Sequence, residues 1–151
     1  MTKLNYSLNL PAQPNQLMDL VMDYQNLPSY LPDQLKSVKI ITQQDNKTIT
    51  EETILFSSVL KKSLVQQSLH KKISNNQLHT QIISGPAKGT IVNITYEKNS
   101  VGTKISIDID LKLPLKAKFL QPLIKKMYKN ILTGVFYKMN NKILSEHEAK
   151  Y

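Results

Sequence analysis

Between Lys104 and Leu113 the chain alternates without a fault, Ile105, Ile107, Ile109, Leu111 and Leu113 against Lys104, Ser106, Asp108, Asp110 and Lys112. This period of two predicts a strand with one buried face. Beyond Pro114 the apolar spacing becomes helical. Leu120, Ile124, Met127, Ile131 and Val135 form a stripe that drifts toward Met139 and Ile143, and Lys125, Lys126 and Lys129 lie opposite. A final helix of about 25 to 30 residues, rising about 1.5 Å each, is about 40 Å long. Such a helix is expected to cross the concave face of a curved antiparallel sheet, and the space between them is either packed solid or left as a cavity. Gly134 falls near the inward edge of the stripe, at a cost of about 1 kcal/mol of helix propensity. It makes room for a ligand or for a packed neighbour, and packing is the commoner reason.

Upstream, Leu4, Tyr6, Leu8 and Leu10 alternate with polar residues and predict a first strand ending at Pro11. Pro14 and Asn15 open a short helix with Leu17, Leu20, Val21 and Tyr24 on one face. Pro28 and Pro32 break any longer helix, so the segment from Asp23 to Pro32 predicts a short helical turn that closes one end of the sheet with Tyr24, Leu27, Tyr30 and Leu31. From Leu35 to Lys112 about six strands follow, with turn signals at Asp45-Asn46, Asn75-Asn76 and Ser100-Val101-Gly102. The Asn75-Asn76 turn sets Ile73 opposite Leu78, Lys71 opposite Thr80 and Leu69 opposite Ile82, all inward, and puts His70, Lys72, His79 and Gln81 on the other face. The Asp45-Asn46 turn pairs Lys39 with Glu52 and leaves Ile41 and Ile54 outward, which predicts a bulge or a two-sided strand. The sum is an α+β fold: about seven antiparallel strands wrapped around a long C-terminal helix, two short helices after strand 1, and one domain over residues 1–151.

Composition narrows the function classes. The chain contains no cysteine, which rules out a disulfide framework, a thiolate nucleophile and a Cys-based zinc site. It has no apolar run long enough for a signal peptide or a transmembrane helix, so the expected location is cytoplasmic, with a peripheral membrane association as the alternative. All 20 basic residues are lysine, and bidentate readout of guanine or phosphate is an arginine speciality, so sequence-specific DNA binding is not expected. Eight lysines and no acid lie between Leu111 and Ser145, so nearly the whole net charge of +9 belongs to the last helix and its approach. That basic face, Lys125, Lys126 and Lys129 above all, could meet an anionic membrane surface or ribosomal RNA, or serve only as a solvated surface.

Candidate chemistry is sparse. His70 and His79 fall on one predicted face without an accompanying carboxylate, which describes solvated strand histidines better than a metal pair. Asp108 and Asp110 alternate outward with Lys104 and Lys112 as a charge-balanced face. Lys71 and Thr80 share the inward face with apolar neighbours, and Gln67 and Glu51 are inward candidates too. Polar groups converging on an apolar pocket can orient a ligand headgroup, although a lysine near a sheet end can equally reach back to water. No Ser/His/Asp constellation or phosphate-cradling glycine loop is present.

Three stretches, Asp23-Tyr-Gln-Asn-Leu-Pro-Ser-Tyr-Leu-Pro32, Gly85-Pro-Ala-Lys-Gly-Thr90 and Gly102-Thr-Lys-Ile-Ser-Ile-Asp-Ile-Asp-Leu111, occur in an order of elements that resembles the START/Bet v 1-like (SRPBCC) superfamily. The chain is most similar to its polyketide cyclase/dehydrase and coenzyme Q-binding group. The resemblance implies a helix-grip fold with a hydrophobic cavity between sheet and last helix, used for lipids, isoprenoid quinones or polyketide-like molecules. No cofactor or metal is expected. The candidate ligand-binding residues are Tyr24, Tyr30, Leu31, Gln67, Leu69, Lys71, Ile82, Ile94, Ile107, Ile109, Met127, Ile131 and Val135. Carriage of an apolar small molecule is the first reading. A cyclase or dehydratase using Tyr24, Tyr30 or Glu51 is the second, and an RNA, ribosome or membrane-surface module using the lysine helix is the third.

Overall fold

The fold is taken from a computed structural model in which residues 2–55 and 63–149 are described. Strand β1 (Thr2–Leu10) leads into helix α1 (Pro14–Met22) and a 3-10 turn (Tyr24–Ser29). Strands β2 (Leu35–Gln44), β3 (Lys47–Leu55), β4 (Ser63–Ser74), β5 (Gln77–Ser84), β6 (Ile91–Lys98) and β7 (Thr103–Leu111) follow, and a second 3-10 turn (Leu115–Leu120) opens helix α2 (Gln121–Ala149). All seven strands form one curved antiparallel sheet in the order β1-β7-β6-β5-β4-β3-β2, the helix-grip arrangement expected from the sequence.

Each element follows from local chemistry. Pro14 occupies the first turn of α1, where its missing N–H is not needed, and the Gln16 side chain accepts the Gln13 N–H at 3.1 Å. Asn46 adopts a left-handed φ of 59° in the β2-β3 turn, a conformation asparagine tolerates. The 29 residues of α2 give a helix about 43 Å long. Its C-terminal half is tied to the β1-α1 turn by the buried Asn140 side chain, whose Oδ1 accepts the Ala12 N–H at 2.9 Å, while Thr103 Oγ1 donates to the Ala12 carbonyl at 2.6 Å.

Two registers depart from the sequence-based expectation. On β4 and β5 the pairs are Lys72 with Leu78, Lys71 with His79, His70 with Thr80 and Ser68 with Ile82, with irregularities around Ile73 and Ile83. The bulge at Ile73 absorbs one residue of β4, and because strand side chains alternate, one residue turns the whole strand over. His70, Ser68 and Gln66 therefore point inward, and Gln67, Leu69 and Lys71 point outward. The expected bulge in β2 is present at Ile41: Lys39 pairs with Glu51, Val38 with Glu52, and Leu35 with Ile54. Ile41 faces solvent, but Ile54 is buried.

The core is divided. A large cluster joins Leu78, Ile94, Tyr96, Ile105, Ile107, Ile109 and Leu111 of the sheet to α1 and to Val135, Phe136, Met139 and Ile143 of α2. A smaller one gathers Tyr24, Leu35, Val38 and Ile54 under the other edge of the sheet. Between them the inward face of β3, β4 and β5 is polar, with Thr48, Thr50, Glu52, Gln66, Ser68, His70 and Thr80. At the closed end of the sheet, Gly102 has φ 148°, and a Cβ there would overlap the carbonyl oxygens of Leu10 and Pro11. Gly102→Ala is expected to lower the unfolding free energy by about 2 to 4 kcal/mol, the range for backbone strain combined with a clash. Urea denaturation of the variant measures it.

Candidate functional site

A cavity of about 150 Å³ lies where the inner face of β2, β3 and β4 meets α2 and the first 3-10 turn. Its hydrocarbon wall is Leu27, Leu35, Val38, Ile54, Met127, Ile131 and Leu132, and its polar wall is Tyr24, Thr50, Glu52, Gln66, His70 and Tyr128. Outside it, Leu31, Asp33, Gln34, Lys36, Leu55, Leu123, Lys126 and Asn130 border a half-open groove of about 670 Å³. Met127 and Ile131 line both spaces and so form the partition between them.

The polar wall is a connected chain. Thr80 Oγ1 lies 2.8 Å from His70 Nδ1, Thr50 Oγ1 lies 2.8 Å from His70 Nε2, and Thr50 Oγ1 lies 3.0 Å from Glu52 Oε1. An ionised carboxylate only accepts, so Thr50 donates to Glu52 and accepts from His70 Nε2–H, which leaves Nδ1 to accept the Thr80 hydroxyl. The Tyr24 ring stacks on His70 at 4.3 Å between centroids and 20° between planes. This stack separates the cavity from a cleft of about 360 Å³ beside the β2-β3 turn.

Burial sets the protonation of both titratable groups. It lifts the Glu52 carboxyl from 4.5 to about 7, against the opposing pull of hydrogen bonds from Ser68 and Thr50. It also depresses the His70 imidazole from 6.5 to about 4, so the ring is neutral at physiological pH. The phenols of Tyr24 and Tyr128 are held well above their ordinary value by burial, with the Glu52 charge adding to the effect. Among the described residues, three buried polar atoms near this wall have no hydrogen-bond partner: Glu52 Oε2, Gln66 Oε1 and the Tyr96 hydroxyl. Unpartnered buried polar atoms are expensive and rare in native folds, and here two of them belong to the cross-strand pair Glu52 and Gln66, whose side chains are part of the cavity lining while the two oxygens are buried in it.

The sequence-predicted site residues fall into four places. Tyr24, Met127 and Ile131 line the cavity, and Leu31 lines the groove, where its Cδ2 packs 3.3 Å from the point a Cβ on Gly134 would occupy. Gly134 thus serves packing. Tyr30, Ile94, Ile107, Ile109 and Val135 are buried in the large cluster, and Ile82 is buried too, but none of these six lines the cavity. Gln67, Leu69 and Lys71 are on the outer face, where Gln67 Nε2 donates to Glu51 Oε2 at 3.2 Å. The reason is the one-residue bulge, which also separates the two histidines: His70 is inside and His79, 2.7 Å from Asn93 Oδ1, is outside. No group of metal-binding side chains occurs among the described residues, and the His147 side chain lies outside them. The cavity-lining residues outside the sequence-based set are the apolar Leu27, Leu35, Val38, Ile54 and Leu132 and the polar Thr50, Glu52, Gln66, His70 and Tyr128. The polar inward run was visible as alternation, but its face was not.

A curved antiparallel sheet closed over one long helix, with a cavity between them, defines a START/Bet v 1-like helix-grip protein. Residues 10–139 match the family described as polyketide cyclase/dehydrase and lipid transport, and the chain belongs to that family. Among solved structures it is similar to a protein from Thermus thermophilus, at 14% identity and TM-score 0.80 over 96% of this chain and 99% of that one. An aromatase/cyclase from Streptomyces sp. R1128 superposes with TM-score 0.80 at 7% identity, over 94% and 95% of the two chains. A START superfamily protein from Mycobacterium smegmatis does so with TM-score 0.74 at 13% identity, over 92% and 97%. At such identities the likeness establishes the fold alone. No curated protein matches the chain. Among the described residues no helix is long and apolar enough to cross a membrane.

Glu52 and His70 act on stability in opposite senses. A carboxyl raised from 4.5 to about 7 destabilises the fold as pH climbs through that window, and an imidazole lowered from 6.5 to about 4 destabilises it as pH descends through its own. Across the overlap the two slopes cancel. Glu52→Gln should therefore expose a loss of stability on acidification from pH 6.5 to 4, and should exceed the wild type by about 3 kcal/mol above pH 7. His70→Gln should show the reverse slope, losing stability from pH 4.5 to 7. Urea midpoints measured across this range, with flat wild-type behaviour as the reference, test both.

Proposed function

We propose that the protein binds an apolar small molecule whose body lies against Met127, Ile131, Val38 and Ile54 and whose polar end meets Glu52 and Gln66. The observation that carries this reading is a cavity between sheet and helix whose lining includes Glu52 and Gln66, each with a buried acceptor oxygen that has no hydrogen-bond partner among the described residues. A solid core would gain nothing from them. The 150 Å³ cavity is smaller than the ~300 to 1,000 Å³ usual for small-molecule sites, whereas the 670 Å³ groove is within that range. A ligand the size of a lipid chain, quinone or polyketide-like ring system therefore occupies both, with the flexible Met127 side chain moving aside next to the stiffer Ile131.

Native mass spectrometry of the protein from a lipid-rich host, followed by solvent extraction, should find a discrete apolar adduct. Ile131→Phe, which fills the partition, should lower occupancy about tenfold or more, whereas Ile94→Val in the packed half should leave occupancy intact and cost about 1 kcal/mol of stability. A clean unliganded mass, with no thermal shift from a lipid and quinone panel, would sink the proposal.

A second reading is favoured by one specific observation: a carboxyl titrating at about 7 lies in hydrogen-bonded sequence with a neutral imidazole. Such a pair can hold a proton at Glu52 Oε2 and exchange it near neutral pH, which suits general acid/base work in a cyclisation or dehydration. Under this reading, Glu52→Gln abolishes turnover of a polyketide-like substrate without weakening its binding. Equal turnover by that variant would leave carriage alone.

A further inference from the structure

The approach to α2 carries exposed hydrocarbon that the fold does not use. Leu115 is 84% exposed, Phe119 78% and Leu123 45%. The three fall within residues 115–123, through the second 3-10 turn and into the start of α2; a four-residue step overshoots a 3-10 turn, so they stand as separate exposed tips that make an apolar ridge along this segment and not a single helical face. Lys112, Lys116, Lys118 and Lys126 are exposed around them, and no acidic residue occurs between Leu111 and Ser145. Exposed aromatic and aliphatic tips ringed by one sign of charge seldom belong to a purely solvated surface.

We propose that this ridge docks the protein on an anionic phospholipid bilayer, with Leu115, Phe119 and Leu123 entering the interface and the surrounding lysines meeting the headgroups. Both parts of the surface are then used: lysines are attracted by anionic lipid and apolar tips by the acyl boundary. RNA would employ the lysines but leaves Leu115 and Leu123 unexplained, and the chain has no arginine to fork onto phosphate. A second copy would set two lysine-rich surfaces face to face, with Asp33 the one carboxylate among the described residues bordering the adjoining groove. The expected cluster of Lys125, Lys126 and Lys129 is less suited: Lys125 is half-buried, and Lys129 Nζ sits 5.4 Å from the Tyr6 ring centroid. Leu123 and Lys126 also border the 670 Å³ groove, so the docked ridge places that opening at the lipid surface.

The test is co-sedimentation of the full chain with vesicles of phosphatidylcholine alone and of phosphatidylcholine mixed with phosphatidylglycerol. Binding should require the anionic lipid and weaken with salt. Leu115→Ser with Phe119→Ser, and separately Lys116→Glu with Lys118→Glu, should each lower partitioning about tenfold or more. All four side chains are exposed, so circular dichroism should be unchanged. The proposal is overturned if the wild type ignores both vesicles, if the serine double variant binds as well as wild type (a lysine-only polyanion contact), or if light scattering shows a dimer that Phe119→Ser disperses. Empty vesicles and exposed variants make these readouts independent of any cavity ligand.

Discussion

The structure depends on a polar inner face that hydrocarbon cannot cover. Thr48, Thr50, Glu52, Gln66, Ser68, His70 and Thr80 point from β3, β4 and β5 toward the helix, where most of the sheet presents isoleucine, leucine and valine. Desolvating such groups is tolerable only when they bond to one another. The threonines and His70 manage this as a chain of 2.8 to 3.0 Å contacts that ends on Glu52. The chain ends before the sheet's polar capacity does. Beyond it Glu52 Oε2 and Gln66 Oε1 have no partner among the described residues, and the side chains of this pair are part of the lining of a cavity.

The split core follows. On the β5, β6, β7 and β1 side the inward residues are apolar and α2 closes on them through Val135, Phe136, Met139 and Ile143, with Asn140 binding the β1-α1 turn. That half anchors the helix. On the β2, β3 and β4 side the first half of α2 stands over polar groups, and only Met127, Tyr128, Ile131 and Leu132 reach across. The helix thus spans both parts of the core, and Ile124, Met127, Tyr128, Ile131 and Leu132 of its first half pack on the large cluster as well. The groove opens beside that first half, near the exposed Leu115 and Phe119.

The same burial that makes room for a ligand tunes the groups facing it. A carboxyl titrating near 7 is about half protonated at neutral pH and an imidazole near 4 is neutral there, which lowers the penalty of keeping them inside. Occupation of the cavity by a hydroxyl or amide would supply the missing donors.

Much of this was legible in the sequence. Periodicity, prolines and paired asparagines suffice for the strand number, both short helical elements, the long last helix and the family resemblance, because these are properties of each segment alone. The apolar inward sets of β1, β6 and β7 are also local, since uninterrupted alternation has a single buried face. The face of β4 is a different kind of fact. It turns on whether Ile73 pairs or bulges, a choice made by contacts on both neighbouring strands, and that one residue exchanges Gln67, Leu69 and Lys71 for Gln66, Ser68 and His70. Whether a polar inward row is packed over or left open is likewise decided only when α2 lies across it, because a cavity is a difference between two surfaces and neither surface alone records it.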